Sequence, residues 1–150
     1  MTEGAIFHIG GSEAEYLDVQ ILRRSWPEAS DYWDGNWLVA RVRIAVGAFS
    51  GSFEASFRTD DLSRFRSEAA TLYEELKGAA RFSPLEEQLL LEMTCDKAGH
   101  VFVDAQARDV AGTGTRIIFE LDMDQTELKV LVGQLDAILD NFPVVGSPAA

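Results

Sequence analysis

One cysteine, two histidines and four prolines in 150 residues leave little room for several kinds of chemistry, and 13 cations stand against 25 carboxylates. The lone Cys95 forbids an internal disulfide and fits a reducing compartment. His8, His100 and Cys95 show none of the spacings by which side chains converge on a metal, so no metal site is expected. No apolar run reaches the roughly 18 residues that a membrane helix requires. The start, Met1-Thr2-Glu3-Gly4-Ala5, has neither the basic opening nor the apolar core of a signal peptide. These shortages place the expected protein in the cytoplasm, of a bacterium, with no membrane partner.

The formal net charge is −12. Residues 1–59 carry 8 acids and 5 bases, residues 60–150 carry 17 acids and 8 bases, so the excess lies mostly in the second part. Such a surface repels phosphates and argues against a nucleic-acid partner. It would speed association with a basic protein, although acidity also serves plain solubility.

Catalytic motifs are missing as well. Gly112-Thr113-Gly114 has no Gly-Lys-Ser/Thr after it and leads into a strand, so it is no phosphate loop. No Gly-x-Ser-x-Gly elbow is present. Asp60-Asp61 reads as a helix cap, Glu86-Glu87 as a solvated approach to a strand, and Cys95 as a small buried hydrophobe on the inner face of its strand. The expectation is a protein without catalysis and without a cofactor.

What the sequence has is periodicity. Leu17, Val19 and Ile21 alternate with polar residues, as do Leu38 to Val46, Phe49 to Phe57, Leu89 to Cys95, Val101 to Ala107 and Ile117 to Leu121. Leu62, Phe65, Ala69, Leu72, Tyr73 and Leu76 form a helical stripe that opens at Thr59-Asp60-Asp61 and closes at Gly78. A second stripe runs from Leu128 to Phe142, opened by Asp124-Gln125-Thr126-Glu127 in capping-box order and stopped by Pro143. With a short strand at Ala5–Ile9, the order is β-β-β-β-α-β-β-β-α. Short turns favour antiparallel pairing, and one-sided alternation favours a sheet covered on one face. The expected fold is α+β: a two-layer sandwich of one antiparallel sheet, six to seven strands, with two helices on one face. Residues 1–143 form a single domain and 144–150 a frayed tail. The open sheet face should carry Arg41, Arg43, Glu54, Arg58, Glu92, Asp104, Arg108, Arg116 and Glu120.

The largest side chains gather at one corner, Asp31-Tyr32-Trp33-Asp34-Gly35-Asn36-Trp37-Leu38. Asp-Gly-Asn is turn chemistry, tolerant of positive φ. The stretch is a tight entry into a central strand, with Trp37 mostly buried and Asp34 and Asn36 bonding backbone groups, or an exposed aromatic–acidic corner that meets a partner.

Asp34-Gly35-Asn36-Trp37-Leu38, followed by Thr59-Asp60-Asp61-Leu62 at a helix start, resembles the WapI-type immunity proteins of bacterial contact-dependent toxin systems. The resemblance extends in element order over residues 5–143 and is close only at 34–38. It implies a cytosolic protein that binds and neutralises a secreted toxin domain, with no turnover and no cofactor. An acidic inhibitor would steer well onto a basic toxin. Candidate partner contacts are Trp33, Asp34 and Asn36 at the corner, and Glu74, Glu75, Asp136 and Asp140 on the outer faces of the two helices. A small-molecule module with its ligand between sheet and helices is the second reading, and an enzyme using carboxylates at a sheet edge the third. Oligomeric state is not legible.

Overall fold

The computed structural model describes residues 5–149. The elements follow as β1 (Ile6–Ile9), β2 (Tyr16–Arg24), α1 (Tyr32–Gly35), β3 (Trp37–Val46), β4 (Phe49–Arg58), α2 (Thr59–Glu75), β5 (Ala79–Phe82), β6 (Leu89–Cys95), β7 (His100–Arg108), β8 (Arg116–Asp124) and α3 (Gln125–Asn141). The α+β class is as expected. The single sheet is not: the strands form two four-stranded antiparallel meanders, β1-β2-β3-β4 and β5-β6-β7-β8, each followed by a long helix. Alternation tells which face of a strand is buried, but is silent on which strands are neighbours. Here α2 carries the chain away from β4, and β5 starts a new ladder.

That first strand of the second sheet, β5, was not anticipated. It is four residues long, between Gly78 and Pro84, too short for a period to show. It nevertheless holds the centre of the fold. Phe82 is fully buried, and its ring meets Phe57 of β4 at 4.9 Å, Phe65 of α2 at 5.6 Å and Phe7 of β1 at 6.2 Å, tilted or edge-on as aromatic quadrupoles prefer.

The inner faces of both sheets and the buried stripes of α2 (Leu62, Phe65, Ala69, Leu72) and α3 (Leu128, Leu131, Leu135, Ile138) belong to one core. The helices exchange halves: α2 lies along β5, α3 along β1, and the two pack on each other. The Gln134 side chain accepts a hydrogen bond from the His8 backbone N–H at 2.9 Å, tying α3 to β1.

The helix ends bear out the capping argument at α3 and, at α2, for Asp61 alone, since the Asp60 carboxylate accepts from the Arg58 side chain instead. At α3 the Asp124 carboxylate accepts from Glu127 N–H at 3.0 Å, and the Glu127 carboxylate accepts from Asp124 N–H at 3.1 Å. At α2 the Asp61 carboxylate accepts from Arg58 N–H at 2.9 Å. The helix ends earlier than Gly78, however: Leu76 takes the left-handed conformation, φ 54°, with its N–H bonded to Leu72 O. No helix of the described residues is long and apolar enough to cross a membrane.

Candidate functional site

The aromatic corner is organised by a residue that the alternation put on a wet face. Arg58, at the end of β4, is buried. Its guanidinium carbon lies 5.0 Å from the Tyr32 ring centroid, 5.5 Å from Trp33 and 5.4 Å from Trp37. Its Nη1 donates to Trp33 O at 2.7 Å, Nη2 to Tyr32 O at 2.9 Å, and Nε to the Asp60 carboxylate at 2.9 Å. A guanidinium can be buried this way because every face of it is either hydrogen-bonded or stacked. The only cue in the sequence is an arginine directly before a helix cap.

Turn chemistry is also realised differently from the expectation. Residues Tyr32–Gly35 form one helical turn, and the capping carboxylate is Asp31, which accepts from Asp34 N–H at 3.1 Å, rather than Asp34. Gly35 is not among the positive-φ glycines, and Asn36 has φ −98°. Glycine is needed at 35 for room: a Cβ would stand 2.6 Å from Val145 Cγ2 and 2.8 Å from Ala29 O. Asn36 does bond backbone. Fully buried, it donates to Tyr32 O and Val145 O and accepts from Val145 N–H, each at 2.9 Å. Arg24 braces the same corner, donating to Gly35 O at 2.7 Å and to Pro143 O at 2.5 Å, and burial lowers its basicity. Trp37 is mostly but not fully buried, as expected. Trp33 is 61% exposed beside exposed Asp34, so the corner presents an indole on a backbone that has little freedom to move.

The four helix carboxylates do not form one patch. Gln125 Nε2 donates to Tyr73 O and Arg66 Nε donates to Asp136 at 2.6 Å, so α2 and α3 run antiparallel. Glu74 and Glu75 therefore sit near the start of α3, about 20 Å from Asp140 at ~1.5 Å of rise per residue. Asp136 is engaged by Arg66, whose own pKa is raised by that hydrogen bond. Glu74, Glu75 and Asp140 are exposed.

A cleft of about 570 Å³ between the β1–β2 loop and the β7–β8 end holds Glu15, His100, Asp122, Asp124 and Glu127. Acids and a histidine in a cleft invite a catalytic reading, but most of them have structural duties. Glu15 accepts from Gly47 N–H, Asp124 and Glu127 cap α3, and His100 pairs with Asp96 at 3.2 Å. Hydrogen bonds, first from the His100 backbone, hold the Asp96 carboxyl below its usual range. Among the described residues no three His, Cys, Asp or Glu side chains converge as a metal site would require. Cys95 is partly buried, and burial, then the Asp96 charge, pushes its thiol pKa up, the opposite of an activated nucleophile.

The outward faces of the two sheets differ in how their charges are registered. On the first sheet opposite signs meet: Asp18 is opposite Arg43, and Arg41 is opposite Glu54, 3.2 Å apart at their nearest atoms. On the second, the cross-strand row runs Arg81, Glu92, Asp104, Glu120, and only Arg81 and Glu92 form an ion pair, at 2.7 Å. The next rows on either side hold Leu90, Gln106 and Ile118, and Thr94, Phe102 and Asp122. Ile118 is 71% and Phe102 50% exposed. At the far end Arg108 is opposite Arg116.

Among solved structures, the fold is similar to MRP1/MRP2 of Trypanosoma bruciei, with a TM-score of 0.50 at 10% identity, covering 92% of this chain and 86% of that one. A likeness at that identity concerns architecture alone. The CdiA-CT/CdiI toxin and immunity complex from Enterobacter cloacae aligns at a TM-score of 0.40 and 13% identity, over 66% of this chain and 88% of that one. No curated protein matches the sequence. The sequence model of one family matches residues 8–143, which include the corner, both sheets and both long helices, and the chain belongs to that family, the immunity protein WapI-like family.

Proposed function

We propose that this protein is a cytoplasmic immunity protein that neutralises a toxin domain by binding it, without turnover and without a cofactor. The observation that carries the reading is the family match over residues 8–143. The geometry supports it: the 570 Å³ cleft that gathers acids and a histidine spends most of them on caps and backbone bonds, while the outer faces of both sheets stay open. With a net charge of −12, the partner that associates fastest is a basic domain.

The test is co-expression with the toxic C-terminal domain of a large secreted protein encoded beside this gene. The expected outcome is survival of the host and a complex that purifies in the presence of a chelator and without nucleotide. Association should slow between about 50 and 500 mM salt, as the Debye length contracts. Failure to protect, together with no binding in vitro, would remove the immunity reading. Binding that ignores salt would keep immunity and remove the basic partner.

A further inference from the structure

We infer that the outer face of the second sheet, β6-β7-β8, is the docking surface, and that it takes a lysine- or arginine-bearing protein segment flanked by apolar side chains. The assignment of this segment to a toxin domain rests on the immunity reading above. Among the described residues nothing covers this face, since both long helices pack on the inner side with the core. Directly opposite residues in an antiparallel sheet hold their Cβ atoms about 5 Å apart, and like charges there repel. Asp104 has Glu92 on one side and Glu120 on the other, yet Arg81 reaches only Glu92. The first sheet, built the same way, matches its opposed charges. The mismatch is thus a property of one face, and a cation from outside would relieve it.

Shape and polarity agree with that occupant. Ile118 and Phe102 stand on either side of the acidic row, both half exposed or more. A shallow depression of about 310 Å³ has Leu90, Glu92, Asp104, Gln106 and Ile118 in its lining, with Arg81, paired to Glu92, also part of its wall. Phe102 also borders the 570 Å³ cleft, whose walls include Glu15 and Asp122. An apolar–cationic–apolar segment laid across the strands would cover Ile118 and Phe102 while its charge sat over Asp104 and Glu120.

Two measurements test this on the whole chain. In the first, isotope-labelled protein is titrated with a short synthetic peptide alternating leucine and lysine, and with its leucine–glutamate counterpart. Amide shifts should cluster at Phe102, Asp104, Ile118 and Glu120 with the lysine peptide alone. Shifts spread equally over Glu74, Glu75 and Asp140 would mean generic charge attraction and overturn the assignment. In the second, Asp104→Lys places a cation between Glu92 and Glu120. It should raise the free protein's Tm by about 1–3 °C while weakening the toxin-domain complex at least tenfold. Ile118→Ser should weaken it mainly through a faster off-rate. Glu74→Lys with Glu75→Lys should leave affinity within about twofold. A stable Asp104→Lys variant that binds like wild type overturns the surface and leaves immunity standing. If wild type binds no toxin domain while the lysine peptide still maps to this face, the immunity reading falls and the basic-segment surface stands.

Discussion

Replacing Asn36 with alanine removes three buried hydrogen bonds at once: two from the amide to Tyr32 O and Val145 O, and one from Val145 N–H to the amide oxygen. Tyr32 O keeps a donor in Arg58 Nη2, so it is not orphaned. Val145 is partly exposed and can turn to water if the segment after Pro143 lets go. At a net ~0.5–1.5 kcal/mol per bond, and with that escape discounting the upper end, the expected loss is about 2–3 kcal/mol. In a domain of this size that lowers Tm by roughly 5–10 °C. Thermal unfolding by circular dichroism reads it directly. A chain ended after Phe142 gives the matching cycle: with Val145 gone, Asn36→Ala should cost measurably less than in the full chain. Asn36→Asp sharpens the argument, because a carboxylate would face two carbonyl oxygens in a buried site. Both burial and those dipoles raise its folded pKa above its unfolded one. Relative stability is then fully present below about pH 4 and is lost as pH rises through the folded pKa. An Asn36→Ala protein whose Tm stays within about 1 °C of wild type, an effect well under one net hydrogen bond, would refute the clamp and leave that side chain as a candidate for partner contact.

Phe82→Ala, at the junction of β1, β4, β5 and α2, should cost about 3–5 kcal/mol in denaturant unfolding, and Phe65→Ala or Leu135→Ala about 2–5. Arg58→Lys should not rescue Arg58→Ala, since an ammonium cannot bond Asp60 and two carbonyls while stacking on three rings; tryptophan emission should shift in both variants as Trp33 and Trp37 lose the guanidinium. Arg66→Ala should change stability by less than about 1 kcal/mol, because its pair with Asp136 is solvent-accessible. Cys95 should react with a disulfide reagent at pH 8 more slowly than an unstructured thiol, its raised pKa leaving less thiolate, and should approach the unstructured rate only on unfolding.

How much of this was legible divides along physical lines. The two long hairpin strands, Trp37–Val46 and Phe49–Arg58, and the stripes of α2 and α3 come through because a period repeated over ten or more residues is hard to mistake, although the apolar face of β4 is buried only at Ala55 and Phe57 while Phe49, at the hairpin end, is 68% exposed. Sheet membership does not come through, since alternation of Leu91, Met93 and Cys95 would look the same beside any neighbour. β5 fails for want of length, and α1 because one helical turn between Asp31 and Asn36 has the composition of a loop. At the corner the residue types were right and the partners were not. Asn36 reaches Val145, more than a hundred positions away, and no local pattern announces it. Arg58 alternates as an outward residue, and only the rings of Tyr32, Trp33 and Trp37, brought over it by α1, cover it. The registered carboxylates Glu92, Asp104 and Glu120 are visible singly in sequence; their opposition requires knowing the pairing of β6, β7 and β8.

The exchange of helices between halves governs what can be cut. Each ββββα unit leaves its own helix on the other unit's first strand, α2 on β5 and α3 on β1. Residues 5–75 expressed alone would expose Leu62, Phe65 and Leu72 with no β5 beneath them. Residues 79–149 would leave Leu131 and Leu135 without β1. Neither piece buries its own apolar stripe, so neither should be stable by itself. The short joint at 76–78 is then a splitting point of a useful kind: two fragments, each inert, that rebuild one core only when they meet. Recovery of a cooperative unfolding transition would become a readout of fragment encounter, and a protease able to nick that joint would leave the assembled protein whole in every respect except covalently.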